Sequence, residues 1–282
     1  MSQIIKRPFR SILRKIADAA GLSQLSQDVR ELRKLCLEIQ HQTSISPDGL
    51  PIPPPQLHFL VSGNDRLDLK DFFEVGRGCA EAVTSLLKKQ KLDIDSFESI
   101  LDFGCGCGRV IRHFHSLKHA RVYGTDYNAQ LVEWCNNNLK FGDFAVNDLK
   151  PPLTYSTGKF DLVYAFSVFT HLPESLQAPW LSELARVTKP GGYVVITTHG
   201  TPFAEAYLTP REREQFRSGR MVVHAEGLPG ENKCGAYHPE EYVRNTLAAD
   251  FEVLDFVPGQ VIDASRRIFG QDAFVLQKHV TA

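Results

Sequence analysis

The segment Asp102-Phe-Gly104-Cys-Gly106-Cys-Gly108 sets a carboxylate in front of three alternating glycines. Glycines at that spacing permit a tight turn and let a ligand approach bare backbone. The carboxylate would repel phosphates and suits a ligand that carries positive charge. Asp126, in GTDYN, is a second carboxylate. A carboxylate at a strand end can accept both hydroxyls of a ribose, at roughly 1.5–3 kcal/mol per charged hydrogen bond. Tyr127 beside it can flank an adenine. The plainer reading of Asp126 is a helix N-cap, because Asp-Tyr-Asn precedes a helical stretch. His171 and His199 follow apolar, strand-like runs, and an imidazole there could take a proton from an acceptor hydroxyl. The alternatives are a structural hydrogen bond for His171, and substrate contact or a turn cap for His199.

Such residues need a frame. From about Leu57 to the end the chain alternates helix and strand patterns. Phe72 to Leu87 is amphipathic at helical spacing. Strands are predicted at Ser99 to Phe103, Arg121 to Thr125, Phe144 to Val146, Phe160 to Ala165 and Tyr193 to Thr198. Helices are predicted at Arg109 to Ser116, Ala129 to Asn137 and Ala178 to Val187. Glu240 to Ala248 reads as a last helix. Phe251 to Phe256 and Ala273 to Lys278 read as strands with no helix between them, so they should pair antiparallel through the loop Pro258 to Gly270. The expectation is an α/β, Rossmann-like sheet of seven strands, mostly parallel with an antiparallel last strand, plus an N-terminal helical extension. Open sheets of this kind bind ligands beyond the carboxyl ends of their strands. The helix predicted after the glycine turn would add its N-terminal amides, worth about 0.3–1 kcal/mol to a carboxylate.

A glycine turn alone also suits NAD or FAD. A dinucleotide fingerprint wants a small residue where Arg109 stands, and Asp102 disfavours a pyrophosphate. The pair of carboxylates instead fits S-adenosylmethionine, with its sulfonium and ammonium charges. LDFGCGCGRV, GTDYN, FAVND, FDLVYAFSVFTHL and LARVTKPGGYVVITTHG resemble, in order and spacing, the successive motifs of class I S-adenosylmethionine-dependent methyltransferases. The resemblance is strong over about Ser96 to Thr198, looser for the terminal strand pair, and does not extend to residues 1 to 56. It implies that Asp102, Gly104, Cys105 and Gly106 line the methionine part, with Gly108 in the turn. It implies Asp126 on the ribose, Asn147 and Asp148 at the adenine, and Phe166 and Ser167 beneath the sulfonium with His171 nearby. It makes KPGG, Lys189 to Gly192, a structural turn before the fifth strand. Cys105 and Cys107 read as small residues in a tight loop rather than as metal ligands, since His113, His115 and His119 lead away from the turn.

The rest of the chain constrains substrate and partners. Residues 1–41 contain Leu22, Leu25, Val29, Leu32, Cys36 and Ile39 at alternating spacings of three and four. Such a seam either pairs two copies into a homodimer or packs on its own domain. Residues 42–58 are a proline-rich linker, expected to be extended and partly polyproline II. Residues 59–282 would be the methyltransferase domain, with 200–239 inserted as an acceptor cover. Arg211, Arg213, Arg217 and Arg220 there could meet an acidic substrate, although a solvated helix face explains them as well. His224, Tyr237 and His238 are further acceptor contacts to consider. With 32 basic and 33 acidic residues the chain lacks the field of a nucleic-acid binder. Ala165-Phe166-Ser167-Val168 is not the motif of DNA amino-methyltransferases. No apolar run reaches the roughly 20 residues of a membrane span, and the six cysteines are scattered. The expectation is a cytoplasmic enzyme, similar to small bacterial methyltransferases, that O-methylates a saccharide or other small molecule. N-methylation and a non-catalytic, cofactor-binding assembly module are the alternatives.

Overall fold

In the computed structural model the described residues are 21, 24, 25, 27–29, 31, 32, 46–62, 69–227, 230, 234–259 and 270–280. The chain divides into two units, Met1–Ser46 and Pro47–Ala282. In the first, Leu25, Val29 and Leu32 lie in helical backbone and are exposed. The rest of the predicted seam (Leu22, Cys36 and Ile39) lies outside the described residues.

The second unit is built on one sheet. Its strands are β1 (Ser99–Phe103), β2 (Arg121–Asp126), β3 (Gly142–Val146), β4 (Phe160–Ala165), β5 (Thr188–Thr198), β8 (Phe251–Val257) and β9 (Asp272–Lys278). They lie in the order β3-β2-β1-β4-β5-β9-β8. β1 pairs parallel with β2 and β4, while β9 runs antiparallel to both its neighbours. This is the predicted mostly parallel seven-stranded sheet with an antiparallel last strand. All five residues of β1 are buried, because the sheet is covered on both faces. Ile100 joins the core beneath helix α2 (Leu69–Lys89), with Cys79, Val83 and Leu87. Leu101 and Phe103 alternate to the other face and join Trp180, Leu181 and Leu184 of helix α4 (Glu174–Val187). Helix α3 (Ala129–Asn138) follows β2.

Four local expectations are corrected. Arg109 to Ser116 is not an α-helix but a set of turns with a single 3-10 turn at Ile111–Phe114. The α2 helix crosses so close at Gly76 that a Cβ there would lie 2.0 Å from the Arg109 carbonyl. The Arg112 side chain is also pulled out of helical register and fully buried. Its guanidinium bonds the Asp48 carboxylate through Nε and Nη2 and the Leu50 and Pro51 carbonyls through Nη2, against the rings of Phe72 and Phe73. That anchor draws the proline-rich linker onto the domain. The linker's end is helical as well, since α1 (Pro55–Ser62) starts on a proline, which the first turn tolerates. KPGG lies within β5 rather than before it. Thr188 pairs with Phe160 and Tyr193 pairs with Leu162, so Lys189 to Gly192 forms a bulge with Gly191 at φ +74°. Glu240 to Ala248 is one short α-turn, Glu240–Tyr242, followed by a π-helical turn, Val243–Leu247.

Between β5 and that turn lie α5 (Thr201–Tyr207), α6 (Pro210–Arg217) and a two-stranded ribbon of β6 (Val222–His224) and β7 (Gly235–Tyr237). Arg213 and Arg217 both pair with Glu205, which favours the solvated helix face over an acidic-substrate site.

Asp102 faces the α2 side of the sheet and is 3% exposed. Its Oδ2 has no hydrogen-bond partner among the described residues. Burial pushes its carboxyl up to about 8, with the Tyr164 hydroxyl and Arg109 pulling against that and Asp126 adding to it.

Two predictions follow from these buried charges. Arg112→Ala leaves Asp48 without its guanidinium and should cost about 3–5 kcal/mol in urea unfolding. Asp102 has a folded-state value above its unfolded one, so its contribution to stability is present at low pH and lost as pH rises towards 8. The stability of Asp102→Asn relative to the natural chain should therefore grow between pH 4 and 8, by up to about 1.4 kcal/mol per pH unit, and level off above. Parallel urea titrations across that range would measure it.

Candidate active site

The glycine segment leaves β1 as a tight loop. Gly104 and Gly106 both adopt positive φ, at +81° and +55°. Added Cβ atoms would lie 2.3 Å from Val168 and 2.8 Å from Val61, so both backbone freedom and close packing require glycine here. The amides of Gly104 and Cys105 donate to the Thr125 carbonyl at 2.8 and 3.0 Å. Asp126, at the end of β2, accepts from the Gly106 amide through Oδ2 at 2.9 Å and from the Asn128 amide through Oδ1 at 2.8 Å. The α3 N-cap is Asn128, whose side chain accepts from the Gln130 amide. The capping role read for Asp126 thus belongs to its neighbour. Burial raises the Asp126 carboxyl above its ordinary range, and the two amides oppose the rise.

A cavity of about 510 Å³ opens beyond the strand ends, in the size range of small-molecule sites. Of the residues expected to bind a cofactor, Gly104, Gly106, Asp126, Tyr127, Asn147, Asp148, Phe166 and Ser167 line it. Asp102, Cys105 and Gly108 do not. Asp102 lies beneath the loop, where burial favours the neutral acid at neutral pH, so it presents no anion to the cavity. Cys105 is turned inward, and it and Cys135 both point their thiols at the Gly106 carbonyl, at 3.6 and 3.5 Å. Gly108 packs against Leu139 and Cys135. Cys107 is fully buried and lies 3.9 Å from the Leu57 carbonyl. Among the described residues no group of His, Cys, Asp or Glu side chains is arranged to hold a metal ion.

Several lining residues carried no signal in the sequence. Phe59, Leu60 and Val61 come from α1, hidden in the proline-rich stretch, and Gly230 comes from the segment between β6 and β7. Leu149 and Trp180 also line the cavity. The Trp180 indole donates to the Leu149 carbonyl at 3.0 Å and packs on Phe103. Asn147 is held by Thr125, whose hydroxyl donates to its Oδ1 at 2.8 Å. Arg109 is the one cationic side chain among the described lining residues, and its Nε is buried without a partner among the described residues.

The two histidines part company. His171 lines the cavity, and its Nδ1 lies 2.7 Å from the Cys234 carbonyl. A carbonyl only accepts, so Nδ1 carries the proton and Nε2 keeps its lone pair. Burial lowers the pKa of the ring, which is neutral near pH 7. His199 is not in the lining. It stacks on Phe203 at 4.1 Å and sits 5.5 Å from Tyr237, and burial takes it down to about 3, with His171 and His238 adding to the drop. His238 is fully buried and also brought down to about 3, while His224 is bonded to Glu212. Ser167 holds a positive φ of +57°, fixed by its amide donating to Thr197 Oγ1 and by its hydroxyl meeting Gln271.

The site fits S-adenosylmethionine. Asp126 keeps lone pairs that ribose hydroxyls could donate to, Arg109 could pair with the methionine carboxylate, and the glycine loop leaves its backbone open. Residues 100–192, a third of the chain, match the methyltransferase domain family. A probable tocopherol O-methyltransferase of Oryza sativa is 33% identical over 158 residues, covering 52% of this chain and 40% of that protein. The malonyl-[acyl-carrier protein] O-methyltransferase of Salmonella typhimurium is 28% identical over 119 residues, 42% of this chain and 44% of that protein. The chain thus spans less than half the length of these curated relatives. Among solved structures, an S-adenosylmethionine-dependent methyltransferase from Mesorhizobium loti superposes with a TM-score of 0.53 at 17% identity, covering 72% of this chain and all of that one. The N-methyltransferase NodS of Bradyrhizobium japonicum, solved with S-adenosyl-L-homocysteine, gives 0.52 at 15% identity, over 79% of this chain and 96% of that one. Sheet order, glycine loop, strand-end carboxylate and family match agree: over residues 100–192 this chain carries a methyltransferase domain of the class I S-adenosylmethionine-dependent type.

Proposed function

We propose that the protein transfers a methyl group to a hydroxyl oxygen of a small, uncharged acceptor, a saccharide or comparable metabolite, with His171 as proton acceptor. When bound, S-adenosylmethionine supplies an electrophilic methyl carbon and leaves as S-adenosylhomocysteine. The acceptor oxygen gains the methyl group and loses its proton to His171 Nε2. The observation that carries the reading is the His171 ring: it lines the cavity, is kept neutral by burial, and has its tautomer set by the Cys234 carbonyl. Holding acceptor and methyl donor in line accounts for roughly 7–11 kcal/mol of barrier lowering, and the base adds about 10²–10⁴-fold. An uncharged acceptor is favoured because, among the described lining residues, Arg109 is the single cation and lies at the glycine loop. Oxygen is favoured by three relatives whose names are O-methyltransferases. His199 packs the wall behind His171, their rings 6.3 Å apart, rather than serving as a second base.

A screen of neutral saccharides and small alcohols with radiolabelled cofactor tests the activity, and label in no acceptor with cofactor bound would overturn it. Asp126→Ala should weaken S-adenosylmethionine binding by roughly 1.5–3 kcal/mol or more in calorimetry while the circular dichroism spectrum is kept. His171→Gln should lower kcat about 10²–10⁴-fold with cofactor affinity nearly unchanged. The rate of the natural enzyme should rise with pH along an acid limb centred below 6.5, because burial depresses the imidazole. A limb centred above that value would point to a different base.

A further inference from the structure

Ser167, Thr197 and Gln271 belong to three neighbouring strands: just past the end of β4, within the end of β5 and just before β9. Four hydrogen bonds close them into one unit. The Ser167 amide donates to Thr197 Oγ1 at 2.8 Å, and that hydroxyl donates to Gln271 Oε1 at 2.6 Å. The Ser167 hydroxyl donates to the same Oε1 at 3.0 Å, and Gln271 Nε2 donates back to Ser167 Oγ at 2.8 Å. A hydroxyl has one proton and two lone pairs, and an amide oxygen has two lone pairs. Both lone pairs of Oε1 are therefore occupied, the Ser167 proton is engaged, and Ser167 Oγ keeps a single lone pair. Ser167 also holds φ +57°, a strained conformation for a residue with a Cβ. It lines the cavity, and the next residue, Val168, packs over Gly104 of the glycine loop. Thr197 and Gln271 are not among the described lining residues, so they reach a ligand only through Ser167.

We propose that Gln271 is a positioning residue for the charge of the cofactor. By taking the Ser167 proton it leaves that hydroxyl only a lone pair to offer, which favours the sulfonium of S-adenosylmethionine over the neutral sulfide of S-adenosylhomocysteine. The proposal rests on the cofactor reading of the cavity, in which Ser167 stands near the sulfonium. A lone pair attracts a cation, and a hydroxyl proton repels it. A serine free to rotate can turn either one to its ligand, and this serine cannot while Gln271 holds it. Methyl transfer removes the charge from sulfur, so the same oxygen holds the methyl donor more firmly than its product. The control comes from the terminal strand pair, 104 residues along the chain from Ser167.

The test is calorimetric binding of S-adenosylmethionine and S-adenosylhomocysteine, each alone, to the full chain and to two variants. Gln271→Leu keeps most of the side-chain volume and removes the group that takes the Ser167 proton. Its Kd for S-adenosylmethionine should rise, relative to its Kd for S-adenosylhomocysteine, by roughly three- to tenfold, the scale of one hydrogen bond. Gln271→Glu still accepts both hydroxyl protons, so its preference for the sulfonium should match or exceed that of the natural chain. Mere packing would change both affinities of Gln271→Leu by one factor, and that result, or no change in either, would overturn the proposal. A lower preference in Gln271→Glu than in the natural chain would overturn it as well, even if thermal melts showed Gln271→Leu to be unfolded. Failure of the natural chain to bind either compound would bring down the cofactor reading together with the proposal. Normal binding by the natural chain, with an unmoved ratio in Gln271→Leu, would bring down the proposal alone.

Discussion

One carboxylate holds the site together. Asp126 accepts two backbone amides, one from the glycine loop that leaves β1 and one from the turn that enters α3. Neither amide has a place in a sheet or a helix, and a buried backbone donor left unmet costs free energy comparable to a lost hydrogen bond. The loop therefore takes its shape because a charge at the next strand end asks for its N–H. That arrangement needs β1 and β2 to be parallel neighbours in register, and Phe103 opposite Thr125 supplies it. In the function proposed above, ligand recognition falls to lone pairs the amides leave over. Pocket shape and pocket chemistry come from the same two oxygens.

The sheet was legible because its signal is local. Ser99–Phe103 and Phe160–Ala165 are short, mostly apolar runs with clear ends, and both strands run between the predicted bounds. Asp126, Tyr127, Phe166 and His171 were legible because they stand just beyond such runs. What escaped depends on contacts between distant residues. Nothing near Arg112 announces that Asp48 will claim it, yet that pair turns an expected helix into a 3-10 turn and folds the proline-rich stretch down. Side-chain direction was also hidden. Asp102 is the acidic residue of its motif, but strand alternation sends it to the α2 face, away from the cavity. His199 and His171 look alike in sequence, and only the packing of Phe203 on one and the opening beside the other separates them.

Buried polar atoms without partners among the described residues lie on both sides of the site, Asp102 Oδ2 and Arg109 Nε at the glycine loop and a larger group beyond β5. Ser167 sits in a left-handed conformation, and the Thr198 hydroxyl, His199 Nδ1 and both ring nitrogens of His238 are buried without partners among the described residues. Each is destabilising by itself. Those beyond β5 gather where β5 ends and β9 begins, beside the wall that holds His171, and the well-packed sheet below keeps them in place. A stable floor with a tense rim is the common division of labour between a scaffold and a site grafted on it.

The place of β9 has a consequence for synthesis. Made after the other six strands of the described sheet, it belongs between β5 and β8 rather than at a margin. While a ribosome is still adding residues 272–278, β5 and β8 have no strand to join them, and each shows a bare edge of the kind that recruits other chains. The nascent protein can assemble its nucleotide half first, since β1 to β4 are already adjacent. The half that holds the acceptor wall must wait for the final insertion, and that interval is when a chaperone has most to protect.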